Sequence, residues 1–251
     1  MVLGVIGDLN RNKVIDTHCH LGFIKRKIMY IQITTRCNME CDHCGMNCTA
    51  EGEDMSFKTF RKALDLSEGA YMTLGGGEPT IHPDFKLFLI EAIASDAEGV
   101  HIITNGKHKR NAKLIANLIR KEVIDGGLSQ DYFHNSIDDE TIQFFTDANA
   151  IHDTSNGGMR NPINAGRAKE FYDEEELLQE CICNGYFIKP NGDVHLCGCE
   201  DSLCIGNIND EGFELPYVEN EEFQDCECWS QISPNGQKEI KKELAGDLVT
   251  A

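Results

Sequence analysis

Nowhere in the 251 residues does an apolar run approach the roughly 20 residues that a membrane-spanning helix needs. The first residues also lack the basic stretch, apolar stretch and cleavage site of a secretory leader. A cytoplasmic location with no membrane partner is therefore expected. Basic residues are scarce as well, with 23 Lys and Arg against 42 Asp and Glu and a formal net charge of -19. A nucleic-acid footprint needs clustered Lys and Arg, so no nucleic-acid partner is expected and the acidity serves solubility. The 41% hydrophobic content still suffices for a real core, in one large domain or one domain with a small appendix.

Cysteine, by contrast, is abundant: there are 12. Their grouping, together with the missing leader, favours metal binding in a reducing compartment over disulfides. Cys37, Cys41, Cys44 and Cys48 form one cluster; Cys181, Cys183, Cys197, Cys199, Cys204, Cys226 and Cys228 form another, and Cys19 stands apart. The first three have C-x3-C-x2-C spacing. Alternation predicts a strand over Lys27 to Thr35, with Met29, Ile31 and Ile33 on one side, that delivers these thiols. Three thiolates on one short loop can hold three irons of a cubane cluster. The fourth iron then lacks a protein ligand, and a small molecule can bind there.

Downstream, the pattern predicts a repeating strand-helix unit. Ser56 is a suitable N-cap for a helix through Leu66 with Phe57, Phe60, Ala63 and Leu64 on its inner face. A strand at Ala70 to Leu74 ends in Gly75-Gly76-Gly77-Glu78-Pro79. A helix from Asp84 to Ser95 places Phe85, Phe88, Leu89 and Ala92 at core spacing. A strand from Gly99 to Thr104 runs into Asn105-Gly106, a helix covers Asn111 to Lys121, and a fourth strand covers Ile124 to Asp131. A helix at Asp138 to Ala148 follows, after which a sixth strand is not evident. Repeated strand-helix units imply a parallel sheet, and in parallel barrels functional groups gather at the carboxyl ends of the strands. Cys37, Gly75 to Glu78, Thr104 to Gly106 and Ser129 to Asp131 share that position.

The cysteine spacing after the first strand, with the glycine-rich run after the second, resembles the radical SAM superfamily. The resemblance implies a partial (β/α)6-type barrel and an enzyme with a [4Fe-4S] cluster on Cys37, Cys41 and Cys44. S-adenosylmethionine would bind the unique iron through its amino and carboxylate groups. Electron transfer would cleave the sulfonium and yield a 5'-deoxyadenosyl radical that abstracts hydrogen from a substrate, a peptide being the first class to consider. An electron donor such as a flavodoxin or ferredoxin is implied too. By resemblance, Gly75, Gly76, Gly77 and Glu78 receive the methionyl amino group, while Thr104, Asn105, Ser129 and Asp131 are candidates for the ribose or carboxylate. His43 stands where the family usually has an aromatic residue beside adenine. Asn164-Ala165-Gly166-Arg167-Ala168 resembles a Gly-Arg-Ala segment near the end of some family barrels, and Arg167 can pair with a carboxylate there.

Residues 1–26 read as an N-terminal extension, 27–180 as the barrel and 181–251 as a small cysteine-rich hairpin domain with a tail. Tyr186 to Leu196 reads as two strands joined by an Asn191-Gly192 turn. Gly192 with Cys197, followed by Gly206-Asn207-Ile208, resembles the SPASM or Twitch extension, which implies an auxiliary [4Fe-4S] cluster. Cys183, Cys197, Cys226 and Cys228 are the favoured ligands, with Cys181, Cys199 and Cys204 as alternatives. Two other classes remain open at this point. Four thiols also suit a zinc-binding structural or interaction protein. His18 and His20 form an HxH of the kind that opens metal-dependent hydrolase barrels, although later partners for them are missing.

Overall fold

A computed structural model of the chain describes residues 28–130, 134–153, 162–177, 185–196, 198, 202 and 204–215. His18, His20, Asp131, Cys181, Cys183, Cys197, Cys199, Cys226 and Cys228 lie outside them.

The amino half alternates as its hydrophobic periods dictate. Strands β1 (Ile28–Thr34), β2 (Tyr71–Gly76), β3 (Gly99–Thr104), β4 (Asp125–Gln130) and β5 (Ile151–Asp153) are interleaved with helices α1 (Phe57–Leu66), α2 (Phe85–Ile93), α3 (Lys109–Arg120) and α4 (Asp139–Asp147). Neighbouring strands pair in parallel, β1 with β2 through to β4 with β5. Ser56 caps α1 by accepting from the Thr59 amide, and Asp138 caps α4 by accepting from the Thr141 amide. Such caps occupy amide donors that the first helical turn leaves unbonded. One detail of α1 departs from expectation. Thr59 joins Phe60, Ala63 and Leu64 in the core, whereas Phe57 at the first position stays 38% exposed.

Met29, Ile31 and Ile33 of β1 and Met72 and Leu74 of β2 are fully buried against Phe60, Phe85 and Phe88, with Phe60 stacked on Phe88 at 4.1 Å. This apolar layer lies between the sheet and its helices.

The remaining strands extend the sheet on its other side. After the four-residue helix α5 (Ala168–Phe171) come β6 (Tyr186–Ile188), β7 (Asp193–His195) and β8 (Cys204–Asn207). Among the described residues the sheet has eight strands in the order β5-β4-β3-β2-β1-β6-β7-β8. The strand Tyr186–Ile188 runs parallel to β1 and lies beside it on the side away from β2. Phe187 of β6 stacks on Tyr30 of β1 at 4.7 Å, and Gly185, at φ +119, brings the chain against the Ile28 carbonyl where a Cβ would collide. The predicted hairpin forms, with Gly192 at φ +93 in its turn. Cys204–Asn207 adds a third, antiparallel strand. Val194 and Ile208 belong to the same buried cluster as the β1 residues. The described part of residues 181–251 therefore shares sheet and core with the barrel.

Candidate metal centre

Cys37, Cys41 and Cys44 sit on a loop that leaves the carboxyl end of β1 and returns to its own base. Cys37 N donates to Thr49 O at 2.7 Å, Thr35 N to Glu53 O at 2.8 Å, and Met55 N to Ile33 O at 2.8 Å. Side chains reinforce that closure, as Asp54 accepts from Thr34 Oγ1 and from Arg36 Nη1, each at 2.7 Å. All three thiols are partly exposed. Cys48 is buried and lies on the protein side of the loop, close to Gly77.

The end of β2 grips this loop from one side. Gly77 N donates to Thr34 O and Glu78 N to Arg36 O, both at 2.9 Å. The glycines make that approach possible. A Cβ on Gly75 would collide with the Tyr30 hydroxyl, one on Gly76 with the Thr34 carbonyl, and one on Gly77 with the Arg36 carbonyl and, at 2.9 Å, with Cys48 Cβ. At these positions the neighbouring protein atoms of Tyr30, Thr34 and Arg36 already require the absence of a side chain.

Glu78 closes this glycine run. It is fully buried, and its carboxylate accepts from Thr80 N at 3.1 Å, from Thr80 Oγ1, from Thr104 Oγ1 at 2.7 Å and from Asn105 N at 2.7 Å. Burial pushes its pKa up, against the opposing pull of those donors. The carboxylate ties the end of β2 to the end of β3. Thr104, expected as a ligand contact, spends its hydroxyl proton on Glu78 and accepts from Gly106 N at 3.1 Å. Asn105 reaches across to the cysteine loop, its Nδ2 2.8 Å from Asn38 Oδ1 and 3.9 Å from Cys37 Sγ. Ser129 is partly exposed near the carboxyl end of β4, paired in register with His152. His43 lies edge-on to His134, with ring centres 5.3 Å apart.

The Gly-Arg-Ala segment grips the loop from the other side. Arg167 Nη1 donates to Cys41 O at 2.9 Å, Nη2 to Cys48 O at 2.7 Å, and the Arg167 amide to Cys44 O at 2.9 Å. Through these bonds Arg167 clamps the loop by its carbonyls. The cause is proximity: a Cβ on Gly166 would lie 2.6 Å from the Gly45 carbonyl carbon, and Gly45 itself faces Ile163. Sequence gave no local sign of these partners, nor of Asn38 and Tyr30, whose roles depend on strands being brought together.

The thiols are electrostatically unequal. Burial raises Cys37 to about 11, whereas a hydrogen bond from the Cys48 thiol lowers Cys44 to about 5, with the Arg167 charge adding to the effect. The same bond holds Cys48 protonated. The donor set fits an iron-sulfur cluster: soft thiolate ligands, partly open to solvent, on a loop whose backbone is fixed from both sides.

The parallel sheet thus carries three loop thiols at the end of its first strand and glycines at the end of its second. Residues 31–139 match the family described as the radical SAM superfamily. Among curated proteins, the chain is 32% identical over 113 residues to the tungsten-containing aldehyde ferredoxin oxidoreductase cofactor-modifying protein of Pyrococcus furiosus, covering 43% of this chain and 30% of the relative. It is 30% identical over 104 residues to the mycofactocin maturase MftC of Mycobacterium ulcerans, covering 40% and 28%. It is 29% identical over 112 residues to the antilisterial bacteriocin subtilosin biosynthesis protein AlbA of Bacillus subtilis, covering 43% and 25%. The matched stretch thus spans less than a third of these relatives' length. Among solved structures, BtrN in complex with AdoMet and 2-DOIA has the same fold, with a TM-score of 0.55 at 14% identity over 88% of this chain and 87% of that one. No helix among the described residues is long and apolar enough to cross a membrane.

Proposed function

We propose that the protein is a radical SAM enzyme whose Cys37, Cys41 and Cys44 hold a [4Fe-4S] cluster with one iron open to S-adenosylmethionine. The observation that carries this reading is the unequal placement of four loop thiols. Three are partly exposed on one loop, while Cys48 is buried against Gly77 with its thiol directed at Met46 O, 3.7 Å away. A structural four-thiolate zinc site would recruit the fourth; a site with one free corner leaves it out. When bound, the cluster and S-adenosylmethionine supply reductive cleavage to a 5'-deoxyadenosyl radical, and the protein positions the reactants.

This chain's residues do the holding. Arg167 and the ends of β1 and β2 fix the loop, and Asn105 and Asn38 line its edge beside Cys37. The backbone of Gly75 to Gly77, together with Asn105 and Ser129, is the surface offered to S-adenosylmethionine; Asp131 and the His43 ring complete the candidate set.

A peptide is the substrate class we favour, supported by the relative named for biosynthesis of a bacteriocin; the Pyrococcus name supports a cofactor instead. We place an auxiliary [4Fe-4S] cluster in the C-terminal segment, with Cys183, Cys197, Cys226 and Cys228 as ligands. Gly198, between Cys197 and Cys199, packs on Phe187, with the Met46 methyl of the cysteine loop nearby, which brings that segment towards the first cluster. A flavodoxin or ferredoxin serves as electron donor.

Anaerobic reconstitution with iron and sulfide, followed by metal counts on the wild type and a Cys37/Cys41/Cys44 triple-alanine variant, tests the reading. About eight irons falling to about four is expected, together with dithionite-dependent 5'-deoxyadenosine formation by the wild type alone. Zinc without iron would refute it.

A further inference from the structure

The strands that follow the barrel carry a second set of metal-ligating side chains. Asp193 and His195, two apart on β7, share a face, while Val194 between them points into the core. Antiparallel pairing with β8, irregular between Val194 and His195, sets Cys204 opposite His195. A carboxylate oxygen of Asp193, a ring nitrogen of His195 and Cys204 Sγ all lie within 4.8 Å of one another. We propose that these three residues bind one divalent transition ion of the zinc type, at a mononuclear site separate from the Cys37–Cys44 loop.

Two bonds to one zinc span at most about 4.4 Å between a sulfur and a nitrogen, so small side-chain rotations close the set around an ion. The surroundings already orient the ligands. His195 Nδ1 lies 2.9 Å from the Ser202 carbonyl, which can only accept, so Nδ1 carries the proton and Nε2 keeps the lone pair a metal needs. Ser202 Oγ lies 3.0 Å from the same nitrogen. Asp193 is steered by Asn191 Nδ2 at 2.7 Å and Asn207 Nδ2 at 2.8 Å, one on each oxygen, which leaves each oxygen a further acceptor position. The Cys204 thiol points its proton at Gly206 O, 3.4 Å away, and metal binding would displace that proton to solvent. One sulfur, one imidazole and one carboxylate suit zinc or ferrous ion over calcium and magnesium, which prefer oxygen alone. Three protein ligands leave a fourth position for water or a further ligand.

The test uses the full chain in the Cys37/Cys41/Cys44 triple-alanine background, so that its outcome is independent of how the first loop is read. The metal-free protein is titrated anaerobically with Zn2+ and with Co2+, with and without His195→Gln, Cys204→Ser or Asp193→Asn. Each variant is expected to bind about one zinc fewer per chain, or to hold it at least about tenfold more weakly. The cobalt spectrum should lose a thiolate band with Cys204→Ser. Far-UV circular dichroism identifies any variant that fails to fold, and Asp193→Asn, nearly isosteric, then decides the matter: zinc should raise the thermal midpoint of the background protein more than that of this variant. Equal zinc counts, affinities and midpoints throughout would overturn the proposal. So would a joint loss of iron and acid-labile sulfide, without loss of zinc, when Cys204→Ser is reconstituted with iron and sulfide.

Discussion

Replacing Arg167 with alanine removes both guanidinium bonds that hold the cysteine loop, at 2.9 Å to Cys41 O and 2.7 Å to Cys48 O. The amide bond to Cys44 O survives, because alanine keeps its N–H. Hydrogen bonds from a charged donor contribute about 1.5–3 kcal/mol each, or roughly 3–6 kcal/mol for the pair. Arg167 is only half-buried, and water can take over part of each bond, so a net cost of about 2–4 kcal/mol is expected. In a chain of this size that lowers the thermal midpoint by roughly 5–15 °C. The loop that loses its clamp is the one that must present three sulfurs together, and loss of such supporting contacts typically weakens metal binding about 10–100-fold. Lysine at the same position reaches one carbonyl as a point charge and should recover part of the loss, because it lacks the planar fork that reaches two. The assay is calorimetry on the metal-free protein and iron retention after reconstitution and challenge with a chelator, for wild type, Arg167→Ala and Arg167→Lys. An alanine variant with an unchanged midpoint and full iron retention would show that the carbonyl clamp is not what holds the loop.

Gly77→Ala should destabilise more than Gly75→Ala, because its Cβ meets the Arg36 backbone while that of Gly75 meets the ring end of Tyr30; urea midpoints should separate them, with about 1–3 kcal/mol for Gly77. Glu78→Gln puts an amide donor where four donors converge, and hydrogen exchange at Thr80 N and Asn105 N should accelerate at least about tenfold. Loss of only one protected amide would argue against Glu78 as the tie between β2 and β3. In the metal-free protein at pH 7, Cys44, lowered to about 5, should alkylate well before Cys37, raised to about 11, and mass spectrometry of early peptides reads the order. The depressed Cys44 value also has a stability sign: its contribution is full above the unfolded thiol pKa near 9 and is lost as pH falls through about 5. A Cys48→Ala variant should flatten that dependence.

The local elements of the amino half were legible because each rests on contacts near in sequence. Ser56 and Asp138 cap helices through donors three residues on, and the burial of Met29, Ile31 and Ile33 follows from simple alternation. The three loop thiols and the glycines of β2 could be located from spacing alone. What stayed hidden depends on long-range pairing. The placement of β6 beside β1 comes from Phe187 meeting Tyr30 and Gly185 meeting Ile28, which no window of sequence displays. The partners of Arg167 lie more than a hundred residues away on carbonyls, which carry no side-chain signature. The bond from Thr104 to Glu78 was not legible either, because Glu78 belongs to the preceding strand-helix unit. Phe57 fits the helical period but sits at the first turn, where the core no longer covers it.

The position of β1 inside the sheet has a consequence for synthesis. Its outer edge is closed only when Met29, Tyr30 and Ile31 pair with Tyr186, Phe187 and Ile188. A growing chain therefore carries the thiol-bearing strand with one row of backbone donors and acceptors unpaired until most of the polypeptide has left the ribosome. An open edge of that kind is a template for pairing with other chains. Truncations that end before residue 186 should accordingly aggregate even though they retain every residue of the cysteine loop and its glycine-rich neighbour.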